Sequence, residues 1–252
     1  MIHSGSRNVG WQVADHYMKV AKILNQPPGK SHLVPPSWEL ETLPVDSEDG
    51  RGYIREMNWA LEFALLNRKV MMDAVKESIL LAVPGTTFDR EVNINHNFSA
   101  LEDIDGEMLW VHRKGSTRAF LGMEGIIPGA QGAHSYIVKG LGNPDSFQSC
   151  SHGAGRKMSR SQAQKTLDLA AEIKEMEDAG VVHALRSTAD LAEAKGSYKS
   201  VIQVMAYQTD LVDIDTELFT LGVLKGEEQE RGKKNHRTAI EADTDVELTN
   251  KD

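Results

Sequence analysis

The chain has 252 residues, 28 of them basic and 37 acidic, for a formal charge of −9. That length is enough for one large domain with a sizeable core, and 40% apolar with 26% charged residues excludes collagen, coiled coil and wholesale disorder. No apolar run is long enough to span a bilayer and no signal-like stretch follows Met1. The single cysteine, Cys150, cannot form an internal disulfide, so a reducing, cytoplasmic setting without a membrane partner is expected.

Residues His3 to Asn8 are small and polar and read as a turn, after which Val9 to Leu24 has the spacing of an amphipathic helix. Five prolines between Pro27 and Asp49 predict a long loop. Met57 to Ala82 carries the strongest helical signal. Trp59, Phe63, Leu66, Val70, Ala74 and Ile79 form its apolar stripe, and Pro84-Gly85 stops it. The period then changes: Glu91–Phe98, Met108–His112 and Ser135–Lys139 alternate or run apolar as strands do. Ser159 or Ser161 is expected to cap a helix running through Glu177 to Gly180, and Tyr198–Leu211 is a last helix. Residues 227–252 are charged and nearly free of apolar side chains, as in a disordered tail.

The middle of the chain stands apart. From Val111 to Lys165 eight basic residues face two acidic ones, a local +6 that leaves −15 for the remainder. Nine glycines lie between Gly115 and Gly155, a density that suits tight turns or close backbone approach to a ligand. This is the pattern of a polyanion site, or of a chance cluster of solvated charges. His112-Arg113-Lys114-Gly115 could hold phosphate or be an exposed strand end.

Within this frame His96 sits among amides (Asn93, Asn95, Asn97), which can fix an imidazole tautomer and leave one nitrogen for a metal or phosphate. A structural strand histidine is the alternative. His152, in Ser151-His152-Gly153-Ala154-Gly155-Arg156, has small neighbours that admit a phosphate, with a guanidinium alongside; a plain tight turn competes with that reading. His3, in His3-Ser4-Gly5-Ser6-Arg7, is similar. Pro128-Gly129-Ala130-Gln131, followed by Ser135, is a further candidate for backbone contacts to a nucleotide. Neither a Walker loop nor a dinucleotide fingerprint is present.

Taken in order, HSGSR at 3–7, NWALEFALLNR at 58–68, NINHNF at 93–98, HRKGSTRAF at 112–120, GIIPG at 125–129, SYIVKGLGN at 135–143, CSHGAGRKMSR at 150–160 and LKG at 224–226 resemble the RtcB family of GTP-dependent RNA ligases. The resemblance covers residues 1–226 as one ligase domain, and it implies a layered α/β (α+β) fold with a central cleft. It also implies joining of RNA ends that carry a 2′,3′-cyclic phosphate or 3′-phosphate to 5′-hydroxyl ends, as in tRNA splicing or RNA repair, with GTP and Mn²⁺. By the same resemblance His152 is the guanylated nucleophile and His3 and His96 are metal ligands. Guanylate contacts fall on His96, Asn97, Pro128, Gly129, Ala130, Gln131, Ser135, His152, Gly153, Ala154, Gly155 and Lys225.

Two departures stand out. The family's amino-terminal half, with an aspartate–cysteine pair and a further histidine for the metal site, has no counterpart here, so a separately encoded amino-terminal half is an expected partner. Ala130 and Gln131 stand where the family has serine and methionine. A non-catalytic RNA- or nucleotide-binding remnant is the alternative function.

Overall fold

In a computed structural model, residues 1–26, 35–38 and 40–225 are described. The tail expected at 227–252, and part of the Pro27–Asp49 loop, lie outside them. The first helix, α1 (Val9–Leu24), has the predicted bounds. The second, α2 (Glu48–Ala82), begins nine residues before the predicted start at Met57. Ser47 caps it, its hydroxyl accepting from the Gly50 amide at 2.9 Å, with Glu48 and Asp49 in the first turn. Gly50 and Gly52 hide that start in the sequence because glycine is a poor helix former. Their use is close packing: a Cβ on Gly52 would lie 2.6 Å from the Tyr17 hydroxyl, so α1 closes on α2 only over a bare backbone.

The predicted core stripe of α2 is not core. Met57, Ala60 and Ala64 are its buried side chains, whereas Trp59, Phe63, Leu66, Val70 and Ile79 are exposed. The periodicity was real, but the face it marks has no partner among the described residues. No helix of these residues is long and apolar enough to cross a membrane.

The strands make three small antiparallel sheets. β1 (Asn97–Ile104) and β2 (Glu107–Lys114) form a hairpin about Asp105-Gly106, both at positive φ. β3 (Ser116–Arg118) pairs with β6 (Ser149–Ser151). β4 (Glu124–Ile127), β5 (Ser135–Gly140) and β7 (Val212–Leu218) form a sheet in the order β4-β5-β7, bulged between Ile137 and Val138. Its inner face joins Ile127, Tyr136 and Val138 to Cys150, Ala154, Val201, Met205 and Val212 in the main core. That core therefore sits directly behind the His152 loop.

The mixture of helices and antiparallel sheets is the α+β class expected. Three predicted elements are corrected. The Glu91–Phe98 strand is absent: residues 91–96 have no strand partner, and the ladder starts at Asn97. The amide side chains of Asn93 and Asn95 instead accept from Arg68 on α2, at 2.7 and 2.8 Å. The single helix ending at Gly180 is two, α3 (Arg160–Thr166) and α4 (Leu169–Asp178), because Leu167 is extended and Asp168 caps α4 by accepting from the Ala170 amide at 2.9 Å. Ser159, not Ser161, caps α3. The Tyr198–Leu211 helix shrinks to α5 (Val201–Ala206), since Tyr198 and Lys199 are drawn into pairing with Arg156 and Gly155.

Candidate functional site

Three histidines remote in sequence meet in one place. The Nε2 atoms of His3 and His96 are 3.0 Å apart, their rings stack at 5.2 Å, and the His96 ring lies 5.0 Å from that of His152. The approach is built from α2. Asn67 donates to the Ser4 hydroxyl and the Gly5 carbonyl, each at 3.0 Å, and Arg68 donates to the Ser4 carbonyl at 3.0 Å. Through its bonds to Asn93 and Asn95, the same guanidinium fixes the segment carrying His96. Arg68 thus holds both imidazoles in register. It closes the NWALEFALLNR stretch, yet nothing in the helix period marks it as part of a site.

Two of the three amides beside His96, Asn93 and Asn95, are committed to Arg68, which leaves Asn97 as the amide that acts on the imidazole. His96 Nδ1 is buried without a hydrogen-bond partner. Burial first, and then His3 and His152, push His96 below its usual pKa. Desolvation first, and then His152, lower His3, with Glu193 pulling the other way and Arg68 adding to the fall. Both rings are therefore neutral at pH 7, the form that can ligate a metal or accept a hydrogen bond.

The two Nε2 atoms fit a metal as a converging pair of donors. Among the described residues, however, no group of three or more His, Cys, Asp or Glu side chains could hold an ion. Two nitrogens fall short of a Mn²⁺ coordination sphere, so these residues alone do not form the metal centre.

The nucleotide-loop candidates are brought together. The Ala154 amide donates to the Pro128 carbonyl at 3.1 Å, and the Gly129 amide donates to the Ser135 hydroxyl at 3.2 Å. These two N–H groups therefore join loops and are not spare donors for phosphate. A Cβ on Gly129 would run into the His134 carbonyl oxygen and press on Ala133 at 3.0 Å. Gly129→Ala is expected to cost about 2–3 kcal/mol by overpacking, measured by urea unfolding, with hydrogen exchange rising first over residues 128–135.

Beside these loops runs a cleft of about 400 Å³ lined by Ala130, Ala133, Lys157, Lys195, Tyr198 and Lys199, among others. The lysines and Tyr198 were not singled out in the sequence. The Arg156 guanidinium lies 4.9 Å over the Tyr198 ring and donates to the Ala192 carbonyl at 2.6 Å. Glu193 accepts from Tyr198, from Arg156 at 3.4 Å and from Arg160 at 2.9 Å. This clamp ties the His152 loop to the 192–199 segment. Asn97 is exposed at the start of β1, next to His96, and Gln131 lies in the turn closed by the Ala133 amide on the Ala130 carbonyl. Lys225 is not brought to the loop by any hydrogen bond among the described residues; its charge acts on Asp190.

Five of the eight cations in the basic middle pair with three carboxylates outside their own stretch. Arg113 and Arg118 share Glu102, Arg156 and Arg160 share Glu193, and Lys139 pairs with Asp215, whose carboxyl is pulled down to about 2 by bonds from Arg90, Thr216 and Lys139. Among the described residues Lys114, Lys157 and Lys165 have no ion pair. Arg113 is buried and spent on Glu102, so of the two readings of His112–Gly115 the structure gives the exposed end of a strand, with His112 and Lys114 facing solvent. Burial lifts the Cys150 thiol to about 11, which makes it a core side chain and not a nucleophile.

Comparison with known proteins places the chain in one family. The family model described as tRNA-splicing ligase RtcB matches residues 1–226. An RNA-splicing ligase RtcB of Escherichia coli K12 is 36% identical over 232 residues, covering 90% of this chain and 55% of the relative. A tRNA-splicing ligase RtcB of Thermococcus kodakarensis is 33% identical over 253 residues, covering 90% and 52%. The chain thus spans about half the length of the curated relatives it matches. With the family model extending over most of its length, the chain belongs to the RtcB family of tRNA-splicing ligases.

Proposed function

We propose that this chain is the nucleotide-binding, guanylate-accepting part of an RNA ligase. It joins RNA ends bearing a 2′,3′-cyclic phosphate or 3′-phosphate to 5′-hydroxyl ends, in tRNA splicing or RNA repair in the cytoplasm. The observation that carries this is the meeting of His152 with the His3–His96 pair at the foot of the Pro128–Ser135 loop.

In the proposed step a nitrogen of His152 attacks the α-phosphorus of GTP. An N–P bond forms, the bond to the bridging oxygen breaks and pyrophosphate leaves. Where the end is a 2′,3′-cyclic phosphate, water first opens it to the 3′-phosphate and a 2′-hydroxyl; the 3′-phosphate then takes the GMP, freeing His152, and the 5′-hydroxyl displaces GMP to form the phosphodiester. The chain's own contribution is positional. Arg68 sets His3 and His96, the Glu193 clamp sets the loop after His152, and the bare backbone at Gly153 and Gly129 lets the Pro128–Ser135 loop close against it. Manganese supplies Lewis-acid chemistry when bound. Its further ligands lie, in this proposal, on an amino-terminal half like that of the longer relatives, encoded with this chain or separately.

The test mixes the chain with such a half, GTP, Mn²⁺ and two RNA fragments ending in a cyclic phosphate and a 5′-hydroxyl. Joined RNA is expected with both halves and not with either alone. Salt-sensitive RNA binding without joining or adduct would instead favour a binding remnant.

A further inference from the structure

The exposed face of α2 is the largest feature that the ligase site does not use. Trp59, Phe63, Leu66 and Val70 follow one another at steps of four, three and four, and Leu81 falls on the same line. They lie roughly 100° around the helix from the buried Met57, Ala60 and Ala64. Their exposures of 54%, 37%, 62%, 60% and 85% leave the face largely open to solvent. The Trp59 and Phe63 rings lie 5.9 Å apart, and Trp59 also walls a cleft of about 400 Å³ with Val13 and Glu56. An apolar seam of this length is uncommon on a free-standing protein and marks an interaction surface. Helix propensity has no need of it, since exposed positions are served as well by polar helix formers.

We infer that this seam docks the family polypeptide corresponding to the part of the relatives that the chain does not span. The inference rests on the ligase reading and locates its partner. The chain matches its E. coli relative over 90% of its own length but only 55% of the relative's, so close to half of such a molecule packs outside these elements. The seam is also part of the element that sets the site: Arg68, between Leu66 and Val70, holds the His3 and His96 segments from another side of α2. Docking on α2 therefore stiffens the helix that positions the two imidazoles. Glu62 and Glu77, on or beside the seam, have no ion pair among the described residues. The occupant accordingly presents an apolar stripe with Lys or Arg opposite them. A second copy of this chain is the competing occupant that the experiment must distinguish.

The experiment titrates the purified chain with the remaining portion of the E. coli relative, following tryptophan emission and sedimentation. A one-to-one complex with blue-shifted emission is expected. Leu66→Glu and Val70→Glu should each weaken it at least tenfold, while Leu101→Glu, exposed on β1 and off the seam, leaves it unchanged. If Leu66→Glu unfolds, as circular dichroism would show, Val70→Glu one turn on reads the same face. Absence of a complex, binding equal in all variants, or a wild-type homodimer that the two α2 variants dissolve would each overturn the inference. A complex that obeys these rules yet forms no GMP adduct would overturn the ligase reading and leave the docking site standing.

Discussion

His152→Ala is expected to remove the proposed protein–GMP adduct. With α-labelled GTP, Mn²⁺ and an amino-terminal half supplied, wild-type chain is expected to hold an acid-labile, alkali-stable label that falls by at least about 10³-fold in the variant, the scale on which removal of a covalent nucleophile acts. The chain alone is expected to label weakly or not at all, because His3 and His96 give a metal only two nitrogens. The structural controls are close at hand. His3→Ala and His96→Ala leave the nucleophile in place, so they should reduce the rate of labelling without changing the linkage formed. Cys150→Ser should label as wild type if it folds, since that thiol is buried and protonated. Label retained in His152→Ala would move the nucleophile elsewhere and sink the assignment.

Much of this site was legible in the sequence because its pieces are local. HSGSR, NINHNF and SHGAGR each sit on a turn or strand end that short-range patterning marks, and the structure draws His3, His96 and His152 together. Their supports were not legible. Arg68 lies on a helix whose apolar period dominates the signal, and its partners are 25 and 27 residues away in chain order. Glu193 carries no local signal in the sequence, and only the fold places Arg156, Arg160 and Tyr198 around it. The charge count was legible only in part: ion pairing is a tertiary property, and Glu102, Glu193 and Asp215, which pair five of the eight cations, all lie outside the counted stretch. The α2 stripe shows the converse case: periodicity reports which face is apolar, and only packing reports whether that face is covered.

The largest stability effect is expected at Arg113. Its guanidinium donates two bonds of 2.7 Å to Glu102, one of 2.9 Å to the Phe147 carbonyl and one of 3.0 Å to the Ser149 hydroxyl, with both ion-pair side chains almost wholly buried. The β1–β2 hairpin, which begins beside His96, is thereby bolted to β6, which runs into His152. Desolvation pushes the Glu102 carboxyl up, but bonds from Arg113 and Arg118 outweigh it and hold the carboxyl below its ordinary value. Arg113→Ala leaves that carboxylate buried with Arg118 alone, a loss of about 3 kcal/mol, at the lower end for a broken buried pair because one cation remains. The sign of the pH effect follows. A depressed folded pKa gives stability that is present above the unfolded value of about 4.3 and lost as pH falls through the folded value. The gap between wild type and Arg113→Ala in urea unfolding should therefore be widest near pH 7 and narrow below about pH 4. A gap that stays constant with pH would mean that lost packing against Phe98 and Phe120, and not the charge, sets the cost. Arg113→Lys separates the remaining possibility: it keeps the charge but not the two-pronged bond, so it should recover only part of the stability and, with it, only part of the alignment between His96 and His152.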